Sequence, residues 1–455
     1  MNKVESALKS VLCKYPDLPL VIAYSGGVDS QVLLHSIALL SQRNIISNPI
    51  TVCHVNHGLS TNALDWQAFA QQSCLALNLP LEVRQVNVQP QAQLSLEAQA
   101  RDARYDALCA INSSASLIIT GHHSDDQTET FILALKRGSG IKGLSAMSNE
   151  MKLGKDLLLR PFLTISREEI VNYANHNNLA WIEDESNADN RFDRNFIRND
   201  IMPLLVSRWP SISNTINRSS EHCRDGQLLL DELAAEDLVS CQRDDNSLDI
   251  LNIKSLSQNR FNNFIRYYLA QQSCLMPSME QLEQLRLQLN AGEDKSPAVK
   301  VGDHYLRRYR KGLYLTKNFS DVSNIAQDVI LLDEENIIEL PDNLGKVILC
   351  TTNQENVEEQ WQSIVLPSNN QKISIRFSHS NPTCLPDYRN HSRSVKKILQ
   401  ELNVPPWQRK RIPYLYFGDI LVAALGYFVC QDFVAKENKP KLSVKWLAEV
   451  SSGIK

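Results

Sequence analysis

Nowhere does this 455-residue chain approach the roughly 20 consecutive apolar residues that a membrane helix needs. Its opening, Met1-Asn2-Lys3-Val4-Glu5, is no signal-peptide core, so a cytoplasmic location and no membrane partner are expected. Cysteine is present ten times (13, 53, 74, 109, 223, 241, 274, 350, 384 and 430) but never as Cys-x-x-Cys. That spacing speaks against zinc, an iron–sulfur cluster or disulfides, and for free, mostly buried thiols. Basic charge is not in excess either: a formal net charge of −4 excludes a uniformly basic nucleic-acid binder and leaves RNA contacts to local patches. A hydrophobic fraction of 43% and a charged fraction of 22% are those of a globular protein, and the length calls for two or three domains.

Two phosphate-binding signatures are also missing, Gly-x-x-x-x-Gly-Lys-Ser/Thr and Gly-x-Gly-x-x-Gly. In their place stands Pro19-Leu20-Val21-Ile22-Ala23-Tyr24-Ser25-Gly26-Gly27-Val28-Asp29-Ser30, followed by apolar residues of helical period. The pattern predicts strand, tight loop and helix. Gly26 and Gly27 let the backbone pass close to a ligand, Ser25 and Ser30 add hydroxyls, and the helix start offers N–H groups and a positive dipole end to an anion. Asp29 is the odd member. A carboxylate beside phosphate repels it unless Mg²⁺ or a proton transfer is involved.

Further along, Pro49–Val55 and Leu81–Val88 read as strands, Asp65–Leu77 and Leu96–Ile111 as helices, and Ser116–Thr120 as a buried strand ahead of Gly121-His122-His123-Ser124-Asp125-Asp126-Gln127. Strands alternating with helices imply a parallel sheet with right-handed crossovers, whose ligand lies beyond the strand carboxyl ends. The polar clusters at 25–30, 54–59 and 121–127 should therefore meet in one crevice. His54, His57, His122 and His123 lack partners at zinc-site spacing, so contacts to base, ribose or a reacting oxygen are the better reading. Asp125 and Asp126 are Mg²⁺ candidates. Arg101 forms either a surface pair with Glu97 or, with Arg104, a guanidinium facing the crevice. Leu135–Leu144 is a glycine-rich basic loop, read either as solvated or as a lid over RNA phosphates.

Beyond Pro210 the alternation stops. Residues 213–318 read as a mainly helical middle domain, closed by a hairpin at 298–309 with a basic, aromatic face. Residues 319–365 read as an acidic linker region, and 366–455 as a small α+β domain. Between Arg376 and Arg411 eight Lys or Arg face only Asp387 and Glu401, with Tyr388 and Trp407 among them. This is the footprint of an RNA surface, although Lys396 and Lys397 equally suit a solvated helix face.

Taken in order, Ser-Gly-Gly-Val-Asp-Ser, His54-Val-Asn-His-Gly-Leu-Ser, Glu97-Ala-Gln-Ala-Arg-Asp-Ala-Arg-Tyr and Gly121-His-His-Ser-Asp-Asp-Gln resemble the bacterial tRNA(Ile)-lysidine synthases. Leu135-Lys-Arg-Gly-Ser-Gly, Trp181-Ile-Glu-Asp-Glu-Ser-Asn, Arg194-Asn-Phe-Ile-Arg and Val404-Pro-Pro-Trp continue the resemblance over nearly the whole chain; Asn56 stands where some members carry His. It implies an α/β fold, with an N-terminal PP-loop ATP pyrophosphatase domain of the adenine nucleotide alpha hydrolase-like kind over residues 1–212.

The implied activity is a two-step ligation. ATP adenylates the C2 carbonyl oxygen of the wobble cytidine of the CAU-anticodon isoleucine tRNA, and L-lysine displaces AMP to leave lysidine. Residues implied to bind ATP are Ser25, Gly26, Gly27, Val28, Asp29, Ser30, His54 and His57, with Asp125 or Asp126 holding Mg²⁺. Catalytic roles fall to Asp29, Arg101, His122 and Asp126, with Asp29 or His122 taking a proton from the lysine ammonium. Arg104, Lys136, Arg137, Arg194, Asn195 and Arg198 would contact tRNA, joined by Arg389, Arg393, Lys396, Lys397 and Arg409 of the third domain. Nothing calls for an obligate protein partner. A tRNA thiolase would share loop and partner but want paired cysteines, and a non-catalytic tRNA- or nucleotide-binding module would bind without turnover.

Overall fold

The run Leu20–Ala23 forms a strand, β1, because it is apolar, β-branched and bounded by Pro19 and the Ser-Gly-Gly turn. Its side chains Leu20, Val21 and Ile22 are wholly buried, which a strand covered on both faces requires. In the computed structural model the residues described are 1–56, 58, 62–86, 96–290, 298–331, 335–351, 361–368, 371–436 and 440–448. They divide into two compact units, Met1–Leu230 and Asp231–Lys455.

The first unit begins with helix α1 (Lys3–Leu12), capped by Asn2 and burying Val4, Leu8 and Leu12 at i, i+4, i+8. After β1 come α2 (Val28–Gln42), β2 (Ile50–Asn56), α3 (Ala63–Ala76), β3 (Leu81–Gln85), α4 (Leu96–Cys109), β4 (Leu117–Ile119) and α5 (Ser124–Lys136). A one-turn α6 (Ile141–Leu144), a hairpin of β5 (Glu150–Leu153) and β6 (Asp156–Leu159), and α7 (Arg167–His176) complete the α/β part. Short α8 (Asp193–Phe196), a π-helical turn at Ile197–Ile201 and α9 (Met202–Arg208) lead into the long α10 (Ile212–Cys241).

The sheet runs β3-β2-β1-β4-β6-β5, parallel except for edge strand β5. β1 pairs with β2 on one side (Leu20↔Ile50) and β4 on the other (Leu20↔Leu117). The strand order therefore reverses at β1, and a crevice opens beyond the carboxyl ends of β1 and β4. The expected parallel sheet is present; the β5–β6 hairpin is an addition the strand patterning did not reveal. Helix α2 has no polar stripe: Val32, Leu33, Leu34, Ile37, Ala38 and Leu40 are all buried, and α7 and α1 cover it.

In the second unit α11 (Ile250–Ser255), α12 (Gln258–Gln271) and α13 (Met279–Leu289) pack on a four-stranded sheet, β7 (Leu248–Asp249), β10 (Gly312–Lys317), β9 (His304–Tyr309) and β8 (Ala298–Val301) in that order. The expected hairpin is β8–β9, turning at Gly302 in the left-handed region (φ +57).

Residues 319–365 correct the linker expectation. They supply β11 (Ala326–Val329), β12 (Glu335–Glu339), β13 (Lys346–Cys350) and β14 (Gln362–Val365). β11 joins β15 (Ile373–Arg376), β18 (Tyr414–Phe417), β19 (Ile420–Ala424) and β20 (Phe428–Val429), while β12, β13 and β14 build a second sheet around β21 (Lys441–Leu447). Ile337 and Glu339 stay outside while Leu349, Ile364 and Val444 are buried, so the acidic residues lie on the solvent face of a true sheet. Strands β16 (Thr383–Cys384) and β17 (Arg393–Ser394), with α14 (Val395–Glu401) and α15 (Pro406–Arg409), complete the unit. All ten cysteines are free, six of them buried. Among the described residues no helix is long and apolar enough to cross a membrane.

Candidate active site

Between β1 and α2 the chain makes the tight loop that the glycines foretold. Gly26 sits at φ +89, and a Cβ there would lie 3.0 Å from Cδ1 of Ile182, so the position is closed to other residues on both counts. Ser30 ties the loop: its hydroxyl accepts from the N–H of Ser25 (3.2 Å) and Gly26 (3.1 Å) and donates to the Gly27 carbonyl (2.9 Å). Ser25 is the exposed hydroxyl of the pair. No side chain caps α2 at Gly27, which leaves its first turn as an anion site. The Ile182 N–H donates to the Gly26 carbonyl (2.9 Å), so the Trp181–Asn187 segment fastens to the loop from outside.

The loop after β4 lies against that first turn. A Cβ on Gly121 would be 2.9 Å from the Asp29 carbonyl oxygen, an approach only glycine permits. Asp29, Asp125 and Asp126 thereby gather around the buried ring of His123, at 3.6, 3.5 and 3.4 Å. Burial opposes charge on His123, but the three carboxylates outweigh it and raise its pKa above 6.5. Asp125 is held down to about 2 despite its partial burial, by His123, by the Arg167 N–H at 2.9 Å and by Ser124. Asp126 is also lowered: burial works against ionisation, and the neighbouring His123 and Arg194 overcome it.

His122 differs from its neighbour. Desolvation, with Arg160, Arg104 and Arg194 nearby, drives its pKa well down although Asp126 pulls the other way, and Nδ1 bonds the Thr120 hydroxyl at 2.8 Å. It is neutral at physiological pH. His54, buried on β2, is likewise lowered by burial and bonds the Tyr24 carbonyl through Nδ1 at 3.1 Å. His57 lies outside the described residues.

Two of the expected tRNA contacts are turned inward. Arg194 on α8 and Arg198 in the π-helical turn after it both reach Glu129, a buried residue of α5: Arg194 Nε at 2.8 Å, Arg198 Nε at 2.7 Å and Nη2 at 2.9 Å. Arg198 Nη2 also reaches Asp126 Oδ1 at 3.3 Å. One oxygen of Asp126 is thus taken by Arg198 and the other by the His123 N–H at 3.0 Å, and Asp29 and Asp125 are the more exposed carboxylates of the three. Arg104 is half-buried on α4 beside the Tyr105 ring, and Arg101 is exposed one turn earlier. Burial lowers the Arg104 pKa, with Arg101 and Arg194 adding repulsion.

The remaining expected contacts are dispersed. Lys136 pairs with Asp193 at 2.6 Å on the surface, Arg137 is exposed, and Asn195 donates to the Asp189 carbonyl at 3.0 Å. In the second unit Arg389 pairs with Glu401, and Arg409 bonds the Val404 carbonyl at 2.9 Å and the Tyr309 hydroxyl at 3.4 Å. Arg393, Lys396 and Lys397 are exposed, the two lysines on the outer face of α14. Arg167 went unremarked in the sequence. It opens α7 behind a Ser166–Glu169 capping box and places Nη1 3.1 and 3.3 Å from the Asp29 oxygens.

Similarity to known proteins agrees with this layout. Residues 1–205 match the family model of a PP-loop domain, 248–314 that of a TilS substrate binding domain, and 373–446 that of a TilS substrate C-terminal domain. A tRNA(Ile)-lysidine synthase of Histophilus somni (strain 129Pt) is 40% identical over 92% of this chain and 98% of its own length. That of Serratia proteamaculans (strain 568) is 41% identical over 94% and 95%. The enzyme of Coxiella burnetii (strain RSA 493 / Nine Mile phase I) is 37% identical over 95% and 94%. With identity at this level running through nearly the full length of both partners, the chain belongs to the tRNA(Ile)-lysidine synthase family.

Proposed function

We propose that the chain is the ligase its family name describes, acting in the cytoplasm to join L-lysine to C2 of the wobble cytidine in the CAU-anticodon isoleucine tRNA, with ATP cleaved to AMP and pyrophosphate. A methionine-reading anticodon becomes an isoleucine-reading one. The observation that carries the proposal is the uncapped start of α2 behind Ser25–Ser30, with partly exposed Asp29 and Asp125 gathered around His123 beside it.

Making a carbonyl oxygen a leaving group needs a held α-phosphate, a stabilised charge and a dry site. The N–H groups at the start of α2 and the Ser25 hydroxyl bind phosphate. Arg101 and Arg104 steady charge gathering on the α-phosphate and on the cytidine O2 as it forms the new P–O bond. Mg²⁺ fits the donor set, since this ion takes one or two carboxylates and keeps phosphate and water oxygens; Asp29 and Asp125 would hold it, and it supplies charge neutralisation. The lysine amine then attacks C2 and the C2–O bond breaks with AMP leaving. Proton uptake from the lysine ammonium falls to Asp29 or His122, of which His122 is kept neutral by burial and so is able to accept. Exposed Arg393, Lys396 and Lys397 would position tRNA through its phosphates without reading bases.

The test is incubation with ATP, Mg²⁺, radiolabelled lysine and unmodified isoleucine tRNA bearing CAU, beside elongator methionine tRNA and an Asp29→Ala control. Label entering only the isoleucine tRNA, with the control dead, is expected. ATP cleavage with no label in any tRNA would overturn the reaction and keep the loop.

A further inference from the structure

Asp29 sits at the mouth of an anion site, where its charge opposes that of any polyphosphate. Among the described residues the one guanidinium in direct contact with it is that of Arg167, on a different element and 138 residues away in sequence. Arg167 is 45% exposed, engages Asp29 through Nη1 alone, and has no protein partner at Nε or Nη2 among the described residues. Its backbone is fixed, because its N–H donates to Asp125 Oδ2 and the Ser166–Glu169 capping box holds the first turn of α7. A rigid root, a long arm, unused planar donors and a carboxylate already neutralised beside a phosphate loop describe a phosphate ligand resting on its counterion.

We propose that Arg167 is a nucleotide-binding residue: it cancels the charge of Asp29 at the mouth of the loop and donates its free N–H groups to the polyphosphate of ATP. The inference rests on the reading of the loop as an ATP site. Arg167 therefore acts on nucleotide affinity, with and without divalent cation, and little on the chemistry that follows.

Equilibrium binding of a non-hydrolysable ATP analogue to the full chain, with Mg²⁺ and with EDTA, tests this. The wild-type chain binds the analogue; failure to bind would sink the ATP-site reading itself. Arg167→Ala is expected to weaken binding roughly tenfold in both conditions, the scale of one charge-assisted contact. Arg167→Lys should recover part of the loss. Asp29→Asn in the Arg167→Ala background should recover part of it too in EDTA, because the unmasked repulsion is removed. Wild-type-like binding by a folded Arg167→Ala protein would overturn the proposal. So would a loss confined to thermal stability, which marks a purely structural salt bridge. In steady state the defect belongs in KM for ATP rather than kcat, and an unchanged KM would again count against it.

Discussion

Arginines of the crevice and cations of the C-terminal surface are the same chemistry put to two uses. Arg194 and Arg198 are clamped by Glu129 and Asp126, with Nε and Nη2 of Arg198 both on Glu129 and Nη2 also on Asp126, while Lys396 and Lys397 stand on the outer face of α14 in solvent. A clamped guanidinium is held in one geometry and gains from a low local dielectric; a solvated ammonium is mobile and screened by salt. The first arrangement suits a transition state, and the second suits a polyanion that must be held anywhere along its backbone.

The sharpest break of this contrast is Glu129→Ala. It leaves two partly buried guanidiniums to share Asp126 alone and should cost roughly 3 kcal/mol of stability, read from the midpoint of urea unfolding. Wild-type stability would show the clamp to be a surface pair. Next, Gly121→Ala pushes a methyl group to 2.9 Å from the Asp29 carbonyl and should cost about 1–3 kcal/mol, with lysine transfer falling further because the two sides of the crevice are forced apart. A change in activity without one in stability would mean the loop yields freely.

A pH titration sharpens the electrostatic half. Asp125 is depressed from 3.8 to about 2, so its contribution is present above 3.8 and is lost as pH falls toward 2. His123 is raised above 6.5, so its contribution is full below 6.5 and fades as pH rises through the folded value. The stability that His123→Gln removes should therefore be largest between about pH 4 and 6.5. A flat difference between the two proteins across pH 4 to 9 would refute the coupling. The smallest effect belongs to the surface. Lys396→Ala with Lys397→Ala should weaken tRNA binding a few-fold, lower the slope of log affinity against log salt by about 1–2, and leave unfolding untouched.

Much of the first unit could be read from its residues, because β1, β4 and the phosphate loop combine short apolar runs with glycines whose positions have one geometric solution. The β5–β6 hairpin could not: Met151 and Lys152 are exposed and only Gly154, at φ +56, marks the turn. Residues 319–365 misled through composition, since Glu335 and Glu339 sit on the wet face of β12, whose near neighbour β13 is tied into the sheet by β21, far along the chain. Arg167 carried no signal beyond a helix cap; its importance comes from α7 packing on α2, a tertiary fact. Arg194 and Arg198 were found as a motif, but the side they face follows from the short α8 and the π-helical turn after it, which the sequence does not announce.

Helix α2 has a consequence for how the site comes into being. Fifteen residues, buried around nearly the whole circumference, have no stable existence in water apart from the sheet and the helices that cover them. Their first turn is also the anion site, so the unfolded or partly folded chain has nothing with which to hold a nucleotide. Binding is then confined to the native state, and ATP at a hundred times its dissociation constant would stabilise the fold by about 2.7 kcal/mol. The cellular nucleotide pool thereby becomes a silent component of this protein's folding equilibrium.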